Sequence, residues 1–363
     1  MSGGARAGAV HDRPVAPGSV PRRFARLRPG DRVAVVAPSG PADPARLEAG
    51  CAVLRDLGLD VTVSAHVLDR TGLGGAGPVP EAWQRLAGTD ADRAADLQAA
   101  WCDPGVRAVI CARGGYGATR VLDHLDWPAL AAATGAAVEA GPGPKALHGS
   151  SDITALHAAF GTRLGITTSF GPMPAGRLAD LAPAGADADT PAPGPGDAVL
   201  ARTLDGLRAV LFKEEGAVGT GPRVLTGTHA LRPGRAEAVL TGGNLSLLAA
   251  LLGTPYAPPP AAGRVVFLED VAEAPYRIDR MLTQLLQAGW FDGAAGVALG
   301  SWTRCGDPAE VDAVLAGRLG PLGVPILAGV PAGHGPCQRT LELGVPVRLD
   351  AGALTLEAPG GVR

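Results

Sequence analysis

The stretch Ala146-Leu147-His148-Gly149-Ser150-Ser151-Asp152-Ile153-Thr154 reads as the end of a strand, a tight turn and the start of a helix. Ala146 and Leu147 are apolar, Gly-Ser-Ser-Asp breaks the run, and a helix-like segment from Ile153 to Gly161 follows at once. A serine on such a turn is held exposed at the positive end of a helix, where a nucleophile is wanted. The same residues read equally as a helix cap, because serine and aspartate are favoured there. Asp152 and Ile153 stand where Gly-x-Ser-x-Gly would have its second glycine. An isolated serine hydroxyl is a poor nucleophile until a base activates it.

The strand–turn–helix unit repeats outward. Arg32 to Ala37 (RVAVVA) is a short apolar run, the pattern of a buried parallel strand. Pro38-Ser39-Gly40 ends it, and Asp43-Pro44 supplies an N-cap and a proline at the first helical position of a helix running to about Leu57. Asp60–Ser64 is the next strand, Asp90–Trp101 a helix and Val106–Cys111 another buried strand. Arg113-Gly114-Gly115-Tyr116-Gly117 follows, then a helix to about His124; Ile166–Phe170 is a further strand. This alternation predicts a parallel, doubly wound sheet with ligands at the carboxyl ends of its strands. Both the RGGYG loop and the serine turn fall there.

Composition narrows the function classes. The chain has 363 residues, 46% hydrophobic and 18% charged, enough for two domains with sizeable cores. Its net charge is −3, and all its cations except Lys145 and Lys213 are arginines. That bias, together with 53 glycines and 33 prolines, reflects GC-rich coding rather than nucleic-acid binding, which needs a basic face. Five cysteines without Cys-x-x-Cys spacing argue against a disulfide framework or a zinc site and fit a reducing cytoplasm. No signal peptide and no transmembrane run is expected. Residues 1–29 read as a flexible tail, 30–178 as one domain, the proline-rich 179–214 as a linker or insertion, and 215–363 as a second domain. That second domain has apolar runs at 236–240, 264–268, 296–299 and 325–330, an amphipathic helix over 276–290, and an antiparallel pair formed by 341–349 and 354–357.

Two segments of the second half bear on the serine. Val265–Leu268 is a buried strand ending in Glu269-Asp270, and a carboxylate there orients a histidine or pairs with Arg277 or Arg280. His334 lies in the glycine-rich loop Gly329-Val330-Pro331-Ala332-Gly333-His334-Gly335 after an apolar strand. His148 stands directly before the turn, where it lines the site structurally; the other histidines lie in the tail, in helical patterns or in segments without neighbouring chemistry. The RGGYG loop is a phosphate cradle, a set of oxyanion donors opposite Ser151, or a plain turn. It lacks both Gly-x-Gly-x-x-Gly spacing and a Walker lysine.

Taken together, these segments resemble the LD-carboxypeptidases, the muramoyltetrapeptide carboxypeptidase family of serine peptidases. The matching pieces run in family order: VAPSG at 36–40, RGGYGATRVLDHLDW at 113–127, GSSDITAL at 149–156, SFGPM at 169–173, GGNLSLL at 242–248, LGTPY at 252–256, FLEDVAEAPYRIDRML at 267–282 and GHGPCQRTLELG at 333–344. The resemblance covers roughly 31–358 and implies an α/β protein, with a Rossmann-like parallel-sheet N-terminal domain and a β-rich α/β C-terminal domain. It implies Ser151 as nucleophile, Glu269 as the acid and His334 as the base, with oxyanion donors from the backbone N–H groups of Asp152 and Gly115. It also implies a cytoplasmic homodimer with no cofactor and no metal, acting on murein peptides and on neither nucleic acid nor membrane.

Arg113 is the candidate for the substrate's terminal carboxylate, because a guanidinium fork suits it, unless it is a structural arginine holding the loop. Gly114, Tyr116 and Asn244 are further candidate substrate contacts. The chain departs from the family pattern at Ser150, where bulkier residues are frequent, and in the Pro/Ala-rich stretch 179–198, an insertion that reshapes the substrate entrance. The expected activity is removal of the terminal D-alanine from murein tetrapeptides. Alternatives are an immunity-type peptidase cleaving peptidyl- or aminoacyl-nucleotide amides, similar to microcin C self-immunity proteins, and a non-catalytic muropeptide- or nucleotide-binding protein.

Overall fold

The computed structural model describes residues 21–74, 80–181, 195–212 and 223–358. Its first sheet has six strands in the order Asp60–Val63, Arg32–Val36, Val106–Cys111, Ala146–Gly149, Thr168–Phe170 and Leu341–Leu343. The first five are parallel to one another, as the apolar runs of Arg32–Val36 and Val106–Cys111 predict. Alternate side chains feed two cores. Ala34, Val36, Val109 and Leu147 pack under the helices Asp90–Cys102 and Thr154–Leu164. Val33, Val35, Ala108 and Ile110 pack under the helix Pro44–Asp56. A sheet covered on both faces is the doubly wound arrangement expected.

The helix starts follow local chemistry. Asp43 accepts a hydrogen bond from the N–H of Arg46, and Pro44 follows it. Thr89 caps the helix Asp90–Cys102 by accepting from the N–H of Asp92. The helix Trp127–Glu139, capped by Asp126, was not expected from the sequence, because its Ala-rich face has little polar contrast.

The second sheet has eight strands, in the order Arg223–Thr226, Thr355–Ala358, Pro346–Asp350, Arg235–Asn244, Arg264–Val271, Gly296–Thr303, Ile326–Ala328 and His229–Arg232. Its centre is parallel and its margins antiparallel. The protein is thus mixed α/β with a β-rich second half.

Three expectations need correction. The run 341–349 is not one strand. Gly344 (φ +92°) breaks it, so Leu341–Leu343 pairs antiparallel with Thr168–Phe170 in the first sheet, while Pro346–Asp350 joins the second. Residues 21–29 are not part of a free tail. The N–H of Arg22 bonds the carbonyl of Gly165, that of Leu27 bonds Leu211, and Phe24 and Leu27 are buried. Within the presumed linker, Pro195–Leu211 is a helix that buries Leu207, Val210 and Leu211 against the first sheet; residues 1–20, 182–194 and 213–222 lie outside the described residues.

Where the sheets meet, Phe170 of the first packs edge-on against Phe267 of the second, with ring centroids 5.3 Å apart. Both rings are fully buried. Phe170→Ala should cost about 3–5 kcal/mol of stability, read from denaturant unfolding; a cost near zero would show that the seam collapses freely around the lost ring.

Candidate active site

The strand Ala146–Gly149 ends in a turn that puts Ser151 at φ +62°, the left-handed region that a serine rarely occupies. A single 3-10 turn, Ser151–Ile153, then opens the helix Thr154–Leu164. Backbone strain of this kind costs on the order of 1–3 kcal/mol and persists only where the surroundings enforce it. Gly149 leaves room for it: a Cβ there would meet Ile153 at 2.9 Å and Cys111 at 3.1 Å. His157 approaches the Gly149 carbonyl with Nε2 at 3.0 Å. His148 is sealed between Ser169 Oγ and the Pro172 carbonyl. Burial pushes both imidazoles down to about 4, so they are neutral structural groups.

Asp152 does more than offer a backbone N–H. Its carboxylate is buried and accepts from Ser39 Oγ at 2.6 Å and from the N–H of Ala118 at 2.7 Å. It therefore binds the VAPSG turn, the serine turn and the start of the helix after RGGYG. Burial raises its pKa against the pull of these hydrogen bonds and of Arg93. The buried Arg93 links the same loops by donating to the carbonyls of Pro38 and Gly117. The sequence marks Asp152 only as a cap or a backbone donor and does not single out Arg93, because neither residue carries a local signal of which way its side chain turns.

The RGGYG loop lies against the serine. A Cβ on Gly114 would stand 2.8 Å from Ser151 Cβ, 3.1 Å from Ser151 Oγ and 3.4 Å from the Asp152 nitrogen. Only glycine fits, and the space beside its Cα borders both the hydroxyl and the Asp152 N–H. The Gly114 carbonyl accepts from the Gly40 N–H and from Arg113 Nε, both at 3.2 Å. In a trans peptide this turns the Gly115 N–H the opposite way, away from Gly40. Gly115 itself has φ +117°. Arg113 also donates through Nη1 to the Pro41 carbonyl, and Arg70 donates to Ala42. Arg113 has no carboxylate within ion-pair distance among the described residues. Burial, then the charges of Arg70 and Arg46, lower its pKa. The Tyr116 ring is exposed at the loop tip.

The second sheet supplies a carboxylate–imidazole pair. Glu269, at the end of the strand Arg264–Val271, is fully buried, and its Oε2 lies 2.6 Å from His334 Nδ1. Its other oxygen accepts from Asn244 Nδ2 at 3.2 Å. Glu269 thus acts as acceptor, which puts the imidazole proton on Nδ1 and leaves Nε2 with a lone pair. Burial alone would lower the His334 pKa. The Glu269 hydrogen bond and charge, with a smaller contribution from Asp270, outweigh it and hold the pKa above the ordinary value. Gly333 (φ +105°) is required beside the pair, because a Cβ there would fall 2.6 Å from Glu269 Oε2.

Asn244, considered above as a substrate contact, is buried and engaged within the protein. Its amide donates to Glu269 and Asp270, its carbonyl oxygen accepts from Ser246 Oγ and the Leu247 N–H, and its N–H donates to Thr154 Oγ1. It joins the acid to the helix that follows the serine turn. Gln338, on the loop after His334, donates to Ser150 Oγ at 3.1 Å, so Ser150 anchors that loop. These bridges draw the serine turn and the Glu269–His334 pair to one junction between the sheets.

No hydrogen bond joins Ser151 to His334 among the described residues, but a strained serine turn on a doubly wound sheet, tied through Asn244–Thr154 and Gln338–Ser150 to a buried carboxylate–imidazole pair, is the equipment of a serine hydrolase. The comparisons name the class. Residues 33–171 match the N-terminal domain and residues 237–349 the C-terminal domain of the LD-carboxypeptidases. The chain is 51% identical over 341 residues to a Streptomyces coelicolor protein named "putative carboxypeptidase", covering 93% of this chain and 96% of that one. It is 32% identical over 326 residues to the murein tetrapeptide carboxypeptidase of Pseudomonas aeruginosa, covering 89% and 94%. The crystal structure of muramoyltetrapeptide carboxypeptidase from Oxalobacter formigenes superposes with a TM-score of 0.67 at 26% identity, over 91% of this chain and 99% of that one. The chain belongs to the LD-carboxypeptidase family of serine peptidases.

Two outcomes test the site. Gly114→Ala should lower kcat at least about 100-fold with an unchanged circular dichroism spectrum, because the methyl occupies the space at Ser151 Oγ; undiminished turnover would contradict the packing. The acid limb of kcat/KM should have its midpoint above the ordinary imidazole value of about 6.5, since only neutral His334 accepts a proton. Glu269→Gln removes the main group that raises this pKa and leaves burial and the smaller pull of Asp270, so the midpoint should move down along with activity. A midpoint that stays in place would separate Glu269 from His334.

Proposed function

We propose that this chain is a serine LD-carboxypeptidase that releases the terminal D-alanine of murein tetrapeptides. The observation that carries the reading is the 2.6 Å contact between Glu269 and His334, held across the sheet junction from the strained serine. The relatives named for murein peptides support the choice of substrate.

Ser151 Oγ attacks the carbonyl carbon of the last peptide bond while His334 Nε2 takes its proton. Glu269 holds the imidazole by Nδ1 and stabilises the charge it gains. The N–H groups of Asp152 and Gly115 receive the oxyanion, with Gly114 shaping the space between them. His334 then protonates the leaving amine, the C–N bond breaks, and water activated by His334 frees the acyl-serine. Asn244 is a positioning residue for Glu269. Arg113 takes the terminal carboxylate, which the absence of an acidic partner among the described residues supports.

Ser151→Ala, incubated with murein tetrapeptide and followed by mass spectrometry, should release no D-alanine while the wild type does. Turnover of an aminoacyl- or peptidyl-nucleotide amide instead of tetrapeptide would favour immunity-type chemistry. Binding of either substrate without hydrolysis by the wild type would make the protein a non-catalytic binder. Arg113→Gln should raise KM about tenfold and change kcat less, because a carboxylate contact remote from the scissile carbonyl serves ground state and transition state alike. An unchanged KM would leave Arg113 as a loop-holding residue alone.

A further inference from the structure

A second concentration of charge lies away from the serine, where the strand Leu341–Leu343 joins the first sheet. Glu342 is fully buried there. Arg23 grips it with two hydrogen bonds, of 2.9 and 2.6 Å, Arg26 donates at 3.0 Å and Thr167 Oγ1 at 3.2 Å. Arg223 Nη2 stands 3.5 Å from the same carboxylate, and Arg339 adds its charge beside Arg223. Among the described residues, three guanidinium groups thus gather around one carboxylate, and a fourth, that of Arg339, acts on Arg223 beside them. Among the described residues, Glu342 is the only acid whose charge acts on Arg26 and Arg223. Burial, with like charge behind it, lowers both, Arg26 to about 10.

A cavity opens against this cluster, between the helix Pro195–Leu211 and the second sheet. It leaves about 20 Å³ of space accessible to water, and its polar lining is Arg223, Arg339, Thr340 and Glu342 over an apolar floor that includes Leu225 and Leu240. Three buried polar atoms of that lining have no hydrogen-bond partner among the described residues: Arg223 Nε, Arg339 Nε and Thr340 Oγ1. Thr340 is only 6% exposed. Such atoms are costly to bury unpaired. The lining also converges: a Cβ on Gly206 would lie 3.0 Å from Arg339 Nε and 3.1 Å from the Thr340 nitrogen. The glycine leaves open a point that a side-chain donor and a main-chain nitrogen both approach. Glu342 does not oppose an anion here, because Arg23 and Arg26 already engage both its oxygens.

We propose that this cavity binds one small oxyanion of the phosphate class, held by Arg223 and Arg339. Among the described residues the guanidinium groups here outnumber the carboxylate, which suits a multiply charged anion, and the forked donors of arginine match tetrahedral oxygens. The site is separate from the catalytic one and stands whether or not the peptidase reading does. It is joined to the base through the chain itself. The N–H of Arg339 donates to the Pro331 carbonyl across the loop that carries His334, and the neighbouring Gln338 holds Ser150. An anion on Arg339 therefore steadies that loop.

Calorimetric titration of the full chain with inorganic phosphate, against sodium chloride at equal ionic strength, tests the proposal. One saturable site and a rising thermal midpoint are expected. Arg223→Gln and Arg339→Gln should each weaken binding at least about tenfold, the loss of one charge-assisted contact. Gly206→Ala keeps every charge, so a similar loss there, with the thermal midpoint in the absence of phosphate unchanged, comes from occlusion rather than unfolding. Ser151→Ala should bind like the wild type. A sugar phosphate that binds as tightly as inorganic phosphate would identify the ligand as a phosphomonoester. No saturable binding, or binding untouched by Arg339→Gln and Gly206→Ala, would overturn the proposal and leave the arginines as ballast for Glu342.

Discussion

The left-handed backbone of Ser151 is the constraint around which the first sheet is arranged. A serine at φ +62° relaxes unless its neighbours forbid it, and here they do so from every side. Gly149 lets the strand end pack against Ile153, His157 reaches the Gly149 carbonyl, and Asp152 is pinned by Ser39 and the Ala118 N–H. The VAPSG and RGGYG loops are therefore parts of one clamp. Arg93, buried beneath them, bonds a carbonyl from each. The clamp leaves the hydroxyl against Gly114 and fixes the direction of the Gly114–Gly115 peptide.

The second sheet answers with a buried acid whose charge is spent on one histidine. Burial by itself would lower the His334 pKa; the Glu269 contact at 2.6 Å reverses that. Asn244 ties the acid to Thr154, so the two halves of the site meet through hydrogen bonds as well as through the apolar seam of Phe170 and Phe267. The second half also lends the first sheet its last strand, Leu341–Leu343, which makes the junction continuous backbone pairing rather than mere contact.

Much of this was legible in the sequence, for definite reasons. Buried parallel strands are written as apolar runs, and RVAVVA and VRAVIC fall where the strands are. Caps such as Asp43-Pro44 mark helix starts chemically. The serine, the acid and the histidine stood out because each ends an apolar strand in a polar or glycine-rich turn. What stayed hidden is pairing between distant segments. Nothing local tells that Gly344 divides 341–349 between two sheets, or that the polar 21–29 is held by Gly165 and Leu211. Nor does sequence separate a polar group that faces solvent from one turned inward. Asn244 read as a substrate contact and is a buried brace, while Arg93 and the carboxylate of Asp152 carry no local signal of their direction and hold the loops together. Pro195–Leu211 follows a proline-rich stretch whose composition masked its helical period.

The central claim is that the strained Ser151 is a nucleophile driven by His334. The most direct measurement is the rate at which a fluorophosphonate probe labels the intact protein, with the modified residue located by peptide mass spectrometry. The account predicts a single adduct on Ser151, forming on the order of a thousandfold more slowly in His334→Ala, as for other serine–histidine pairs. An adduct elsewhere, or Ser151 labelled equally fast without the histidine, would contradict it.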